Sequence, residues 1–294
     1  MTVSVGICAY NEEGNIANLL ESTLNQKLEK VEIEEIIVVS SASTDNTDSI
    51  VEDFSSKDPR IRLIKETHRN GKASAVNHFL KESKGDICVI QSADTISTPR
   101  TIESICEPIV NSSEVGAVGG RPIPNGGRGF FLGFASRFIW HLHSRMSMKY
   151  PKLGEISAHR NVIESIPVDA TSDDTFLEYA ISQKGLKVSY AHDAVILNKG
   201  PETISEYIEQ RTRWRGAQIR VQQDTGYISA SARQGSVNFE VARYCLARPW
   251  TVPFVIPVCL LELYCLSKAK RMISRDQDSF VVWNSLESTK KLRE

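Results

Sequence analysis

The chain has 294 residues, 41% of them hydrophobic, and its 35 Lys and Arg against 36 Asp and Glu leave a net charge of −1. That length allows one large α/β domain or two smaller ones, and without a basic excess nothing supports a nucleic-acid binder. The six cysteines show no Cys-x-x-Cys spacing, and Cys8 and Cys88 fall in apolar runs where a reduced, buried thiol is expected.

Met1 leads straight into an apolar stretch with no charged leader or cleavage site, so a cytoplasmic catalytic region is expected. Strand and helix patterns then alternate, which argues for a mainly parallel, doubly wound sheet. Strands are expected at 2–8, 35–40, 60–65, 86–91 and 115–119. Between them Ile16, Leu19, Leu20 and Thr23 share one helical face, as do Ala73, Val76 and Leu80. Glu12 and Glu13 open the first helix, where carboxylates complement the dipole, and Thr44 or Asp45 can cap the second. Residues 121–129 read as a Gly/Pro-rich loop, followed by a long aromatic segment at 130–150 and a strand-like stretch at 153–158. Helices are expected near 173–183 and 203–222.

Further on, residues 250–266 form an apolar run interrupted only by Pro253, Pro257 and Glu262. A membrane-spanning helix wants about 20 apolar residues, so this run reads as a buried helical hairpin, an oligomer contact or an interfacial anchor. Within 121–160, Arg121, Arg128, Arg137, Arg145, Lys149, Lys152 and Arg160 face a single acid, Glu155, and are interleaved with aromatic residues. Phe131, Phe134, Phe138 and Leu142 make one helical stripe, which serves either a protein core or an interfacial helix on anionic lipid.

In an open α/β sheet, ligands bind outside the carboxyl ends of the strands. Polar residues cluster at those places: Ala9-Tyr10-Asn11-Glu12, the segment from Ser40 and Ser41 to Asp45, Arg69-Asn70-Gly71-Lys72, and Ser92-Ala93-Asp94. Together they suggest a nucleotide site. Downstream, Asp173-Asp174 follows Ser172, a pairing that can simply cap a helix and complement its dipole. In Gln210-Arg211-Thr212-Arg213-Trp214 a helix places Gln210, Arg213 and Trp214 on one face with Ala217.

These motifs, in this order and spacing, resemble family 2 glycosyltransferases: AYNEE after the first strand, SxSTDNT after the second, RNGKxxAxN, a strand ending in Asp94, an acidic pair and QxxRW. The similarity covers about residues 2–225. It implies the GT-A fold, a mainly parallel Rossmann-like sheet with helices on both faces, with one catalytic domain at 1–225 (a nucleotide-sugar half at 1–120 and an acceptor half at 121–225); the apolar run beyond it makes 226–294 a separate helical region, open to membrane association. Glu155, Arg160 and the segment Asn198 to Thr203 also look like a prokaryotic, archaeal-type subgroup.

The resemblance further implies roles. Asn11, Glu12 and Ser41 lie near the nucleoside of a nucleoside-diphosphate sugar donor, and Lys72 and Arg213 near its diphosphate. Asp94 holds a divalent cation, Mg²⁺ or Mn²⁺, through the hard oxygen these ions prefer. Asp174, with Asp173 as neighbour, supplies the catalytic base of an inverting transfer. Gln210, Trp214 and Arg160 serve a lipid-linked or glycan acceptor at a membrane surface. Two departures stand out: Ser92 occupies the first place of the family's Asp-x-Asp, and Ser40-Ser41 replaces an Asp-Asp pair. Weaker cation binding is therefore expected, and the nucleobase stays open. A sugar-nucleotide pyrophosphorylase would need a Gly-rich basic loop after the first strand, where this chain has Ala-Tyr-Asn-Glu-Glu. A catalytically silent scaffold would have no need of Asp94, Asp174 and Arg213.

Overall fold

The computed structural model describes residues 1–125, 129–228, 234–275 and Lys290. The elements run β1 (Thr2–Ala9), α1 (Ile16–Leu24), β2 (Glu32–Ser40), α2 (Thr47–Lys57), β3 (Ile61–Lys65), α3 (Lys72–Glu82), β4 (Ile87–Ser92), β5 (Thr95–Ser97) and α4 (Thr101–Asn111). They continue as β6 (Val115–Pro124), α5 (Phe130–Lys149), β7 (Ile156–Arg160), α6 (Asp173–Gln183), β8 (Lys187–Asn198), α7 (Ile204–Thr225), α8 (Gln234–Ala247) and α9 (Val252–Arg275).

One sheet of eight strands has the order β3-β2-β1-β4-β7-β6-β8-β5. The first four strands in that order are parallel, and β7 runs antiparallel to both β4 and β6. Two-residue periodicity buries both faces. Ile36 and Val38 join Ile16, Leu19 and Ile105 on one side, whereas Ile37 and Val39 join Val76, Phe79 and Leu177 on the other. Helices α1, α2 and α4 therefore cover one face, and α3 and α6 cover the other. A third apolar cluster, off the sheet, joins Leu132, Phe138 and Leu142 of α5 to Tyr207 of α7 and to Val255 and Val258 of α9.

Several expectations need correction. Residues 121–124 are not loop but the end of β6, paired with β8 from Arg121↔Val195 to Pro124↔Asn198. Pro122 and Pro124 are tolerated because β6 pairs with β7 only over Ala117–Gly119, which leaves that side of the strand without a ladder beyond. The strand expected at 153–158 begins at Ile156, and both β5 and β8 were not anticipated. The Phe131, Phe134, Phe138, Leu142 stripe faces protein: Phe134 lies 5.6 Å from Phe254, and Phe138 lies 4.9 Å from Tyr244. After a 3-10 turn at Pro249–Thr251, residues 252–266 enter a single helix, with Pro253 in its first turn where a missing N–H costs nothing. All six cysteines are free, and burial pushes the Cys8 thiol up to about 12, as befits an inert core thiol.

One close approach shapes the centre of the molecule. A Cβ on Gly119 would stand 1.9 Å from the Lys152 carbonyl oxygen, so only glycine lets the segment preceding β7 lie against β6. Gly119→Ala is expected to cost roughly 1–3 kcal/mol by overpacking, read as a lower urea midpoint at unchanged m-value. An unchanged midpoint would show that the segment yields.

Candidate active site

The parallel ladder sets Ala9 beside Ser40 and Cys8 beside Ser92, so the loops leaving β1, β2 and β4 emerge together. Two of these loops turn through left-handed backbone at non-glycine residues, Asn11 (φ 52°) and Ala42 (φ 56°), a conformation common at ligand-binding turns. Asn11 laces the loops: its Oδ1 accepts from Thr44 N–H at 2.8 Å and its N–H donates to Ser43 Oγ at 3.1 Å. Ser41 lines the cavity, but its hydroxyl donates inward to Glu66 Oε2 at 2.7 Å. Glu12 is buried, accepts from Asn15 Nδ2 at 2.8 Å and receives the ammonium of Lys290, which also reaches the Tyr10 carbonyl. Burial, reinforced by nearby Asp94, pushes the Glu12 carboxyl up to about 7 against the pull of Lys290.

Asp94 ends the same row. Burial raises its carboxyl, and Lys290, Lys72 and Arg213 work in the opposite direction. Because β7 is antiparallel to β4, the residue that precedes it is delivered to this edge: Ser92 N–H donates to the Glu155 carbonyl at 3.0 Å. The Glu155 side chain is thereby set among Asp94, Lys72 and Arg213, with its carboxyl raised to about 7, first by burial and then by Asp94. The same antiparallel pairing carries Arg160 to the far end of the sheet, opposite Ile87. There its guanidinium donates to the carbonyls of Ile109, Ser112 and Val115 at 2.8–2.9 Å and closes the end of α4. Arg160 is thus not brought to the site, and Asn11 supports the site's loops without lining its cavity.

The other wall comes from the second half of the chain. Gly71 adopts φ 90° to start α3, which aims Lys72 at Asp173 with an Nζ–Oδ2 distance of 3.0 Å. Burial disfavours the Lys72 charge, but Asp173 more than offsets it and the ammonium is held. At the start of α6 Asp174 Oδ1 accepts from Thr175 N–H at 2.8 Å and from the Ser172 hydroxyl, which fixes the carboxylate's orientation. Next to it, burial lowers Lys152 to about 8, opposed by Asp174 and Glu178. Glu178 accepts from Leu153 N–H at 2.6 Å and from the Tyr227 hydroxyl at 3.1 Å, and burial followed by Asp174 pushes it up to about 8.

Helix α7 is fixed at its start by a capping box, in which Thr203 accepts from Glu206 N–H and Glu206 reaches back to the cap. It carries Gln210, Arg213 and Trp214 into the cavity. Burial lowers the Arg213 guanidinium to about 10 while Glu155 and Asp94 favour its charge. The Trp214 ring has Arg211 at 4.4 Å, Arg215 at 5.0 Å and Lys152 at 5.3 Å from its centroid, all within cation–π range.

A single cavity of about 540 Å³ joins these walls, lined by Glu12, Ser41, Lys72 and Asp94 from the first half of the chain and by Asp173, Asp174, Gln210, Arg213 and Trp214 from the second. A pocket of that size admits a small-molecule ligand. For a cation the donor set is sparse: among the described residues no group of three or more His, Cys, Asp or Glu converges on one point. Asp94 alone still suits Mg²⁺ or Mn²⁺, which commonly take one or two carboxylates and complete their shell with water and substrate phosphate. Lys290, Lys152, Arg215 and Glu262 also line the cavity and belong to no motif. Chemistry-bearing residue type was their one sequence signal.

Residues 4–180, more than half of the chain, match the family described as Glycosyl transferase family 2. The chain belongs to that family. A probable glycosyltransferase YdaM of Bacillus subtilis is 30% identical over 236 residues, covering 74% of this chain and 56% of that protein. The dolichol-phosphate mannosyltransferase of Pyrococcus furiosus is 30% identical over 197 residues, covering 64% of this chain and 54% of its own length. The chain thus spans about half the length of these curated relatives. Among solved structures, the mannosyltransferase PcManGT of Pyrobaculum calidifontis, in complex with GDP-mannose and Mn²⁺, superposes with a TM-score of 0.62 at 22% identity, covering 97% of this chain and 76% of that one. The shared architecture is the GT-A fold.

Glu178 makes the pH behaviour testable. Its folded carboxyl, at about 8, lies above the usual value near 4.3, so the folded protein binds the extra proton between those limits. Its contribution to stability is therefore largest at low pH and declines as pH rises towards 8. Glu178→Gln should flatten the fall in Tm between pH 5 and pH 8. A Tm profile parallel to that of the unmodified protein would contradict this.

Proposed function

We propose that this chain transfers a sugar, with inversion and with the help of a divalent cation, from a nucleoside-diphosphate sugar to a lipid-linked or polysaccharide acceptor at a membrane surface. The observation that carries the reading is the continuity of the cavity, which puts Asp94, Lys72 and Arg213 within one enclosure with Asp174 and Trp214. Asn11 shapes the loop that receives the nucleoside, while Glu12 and Ser41 line it. Lys72 and Arg213 flank the diphosphate, where an ammonium and a planar guanidinium complement its charge. Asp94 would hold the Mg²⁺ or Mn²⁺ ion, whose charge stabilises the departing nucleoside diphosphate.

Asp174 takes the proton of the acceptor oxygen, a sugar hydroxyl or the remaining P–OH of a singly ionised lipid phosphate, as that oxygen bonds to the anomeric carbon and the bond from that carbon to the diphosphate oxygen breaks. Asp173 keeps Lys72 in place. Gln210 and Trp214 border the acceptor. A lipid-linked acceptor is supported by the Pyrococcus relative, named for transfer to dolichol phosphate. It is also supported by the outer face of α9, where Ile256, Leu260, Leu263 and Tyr264 are exposed ahead of Lys270 and Arg271. Among the described residues, the stretch Pro249–Arg275 is long and apolar enough to cross a membrane, and as an amphipathic face it suits the interface.

Incubation with a panel of labelled nucleotide sugars, with and without Mn²⁺ and with membrane lipid, should reveal transfer or slow hydrolysis for one donor. Asp174→Asn should then lower kcat by about 10²–10⁴-fold, and Arg213→Ala by about 10²-fold. Chelation should abolish transfer and added Mn²⁺ restore it. Full activity in both variants would remove these residues from the mechanism. The lipid reading is checked by flotation: the protein should rise with anionic liposomes, and Ile256→Glu with Leu260→Glu should leave it at the bottom of the gradient. A protein that stays at the bottom before substitution refutes membrane binding.

A further inference from the structure

A buried charge in α9 has no place in the reaction as written. Glu262 interrupts the apolar first part of the helix, is 9% exposed, and lines the cavity. Its carboxylate accepts from Tyr207 Oη at 2.7 Å, from Arg211 Nε and Nη2 at 2.6 and 2.8 Å, and from Arg215 Nη2 at 2.9 Å. Tyr207, Arg211 and Arg215 are spaced four residues apart and share one face of α7. Burial alone would raise the Glu262 carboxyl, but the two guanidiniums and the phenol hold it down at about 2.

Stability does not explain such a cluster, because well-packed apolar residues of the same volume usually serve as well as a buried ion pair. What the cluster does is orient two guanidiniums. Arg211 and Arg215 are the same groups that lie 4.4 and 5.0 Å from the Trp214 ring centroid. The Arg215 Nε is buried and has no hydrogen-bond partner among the described residues, so its bond to Glu262 is the polar contact that sets its position. The cation–π contacts in turn limit the rotation of the indole.

We propose that Glu262 is a positioning residue for the acceptor: from α9 it orders Arg211 and Arg215 against Trp214, so that the indole and its basic rim present a fixed surface beside Asp174. The inference rests on the reading of Trp214 as an acceptor-side residue. It also means that the apolar helix able to meet lipid is tied to the acceptor wall by a buried carboxylate as well as by apolar packing.

The test uses the full chain with a short polyprenyl phosphate as acceptor. Glu262→Gln should raise the acceptor KM about tenfold and leave the donor KM within about twofold, the signature of a lost acceptor-side geometry. Since Glu262→Gln leaves guanidiniums unpaired and should lower Tm, a second variant, Glu262→Met with Arg211→Met and Arg215→Met, removes the buried charges from both sides. This variant should recover Tm while keeping the raised acceptor KM. In a background where Trp140, Trp250 and Trp283 are Phe, either variant should make Trp214 at least about twofold more quenchable by acrylamide, as expected when ordering contacts are lost. Recovery of both Tm and acceptor KM in the triple variant would make Glu262 purely structural and overturn the proposal, as would unchanged quenching. If quenching changes but the unmodified protein transfers no sugar to the polyprenyl phosphate, the reading of the acceptor falls while the link from Glu262 to Trp214 stands.

Discussion

β7 runs against both of its neighbours, so the chain enters it at the edge where β1, β2 and β4 end. That reversal is what joins the two halves of the molecule. It places Glu155 beside Ser92 and Asp94, and it draws the preceding Lys152 and Leu153 against β6 at the one position, Gly119, that has room for them. Were β7 parallel, these residues would leave from the opposite edge and the cavity would have a single wall. The division between a nucleotide half and an acceptor half is therefore a division of sequence more than of space.

The charges at the centre follow from this crowding. Glu12, Asp94 and Glu155 are withdrawn from water close together, and burial raises all three carboxyls. Lys72, Arg213 and Lys290 answer them from three separate elements of the chain. Such a set suits a ligand that brings both negative charge and counter-charge with it, as a diphosphate with its cation does. The first Asp of the family's usual metal motif is Ser92 here, and acid in the enclosure is contributed instead by Glu12 and Glu155 from other strand ends.

The first half of the fold was legible because its signals are local. Short, nearly continuous apolar runs marked β1, β2 and β4, as strands buried on both faces should, and polar strand ends announced where a ligand would sit. β8 was not legible: residues 187–193 mix Ser, Tyr, His and Asp, and clean alternation of buried positions is confined to its end. Prolines hid the end of β6, since their tolerance depends on where β7 stops pairing. At the site, Asp94, Lys72, Asp174 and Trp214 could be found from motif spacing. Arg160 could not be placed, because the direction of β7 decides which edge it reaches. Lys290 and Glu262 depend on partners 278 and 51 residues away, and no periodicity encodes such a pairing. Glu262 in particular looked like a flaw in an apolar run until Arg211 and Arg215 were seen opposite it.

Arg213 and Trp214 are consecutive on α7, and that helix is fixed at its start by the Thr203–Glu206 capping box. Neighbouring residues on a helix diverge by about 100°, at a rise of about 1.5 Å. On the function proposed for Arg213 and Trp214, the grip on the donor and the border of the acceptor are two directions of one rigid rod. Any drift of α7 that reshapes one pocket disturbs the other, which makes this helix a poor place for evolution to change acceptors. Divergence in acceptor preference should instead accumulate on α8, where Val237, Asn238 and Val241 line the cavity from outside the rod.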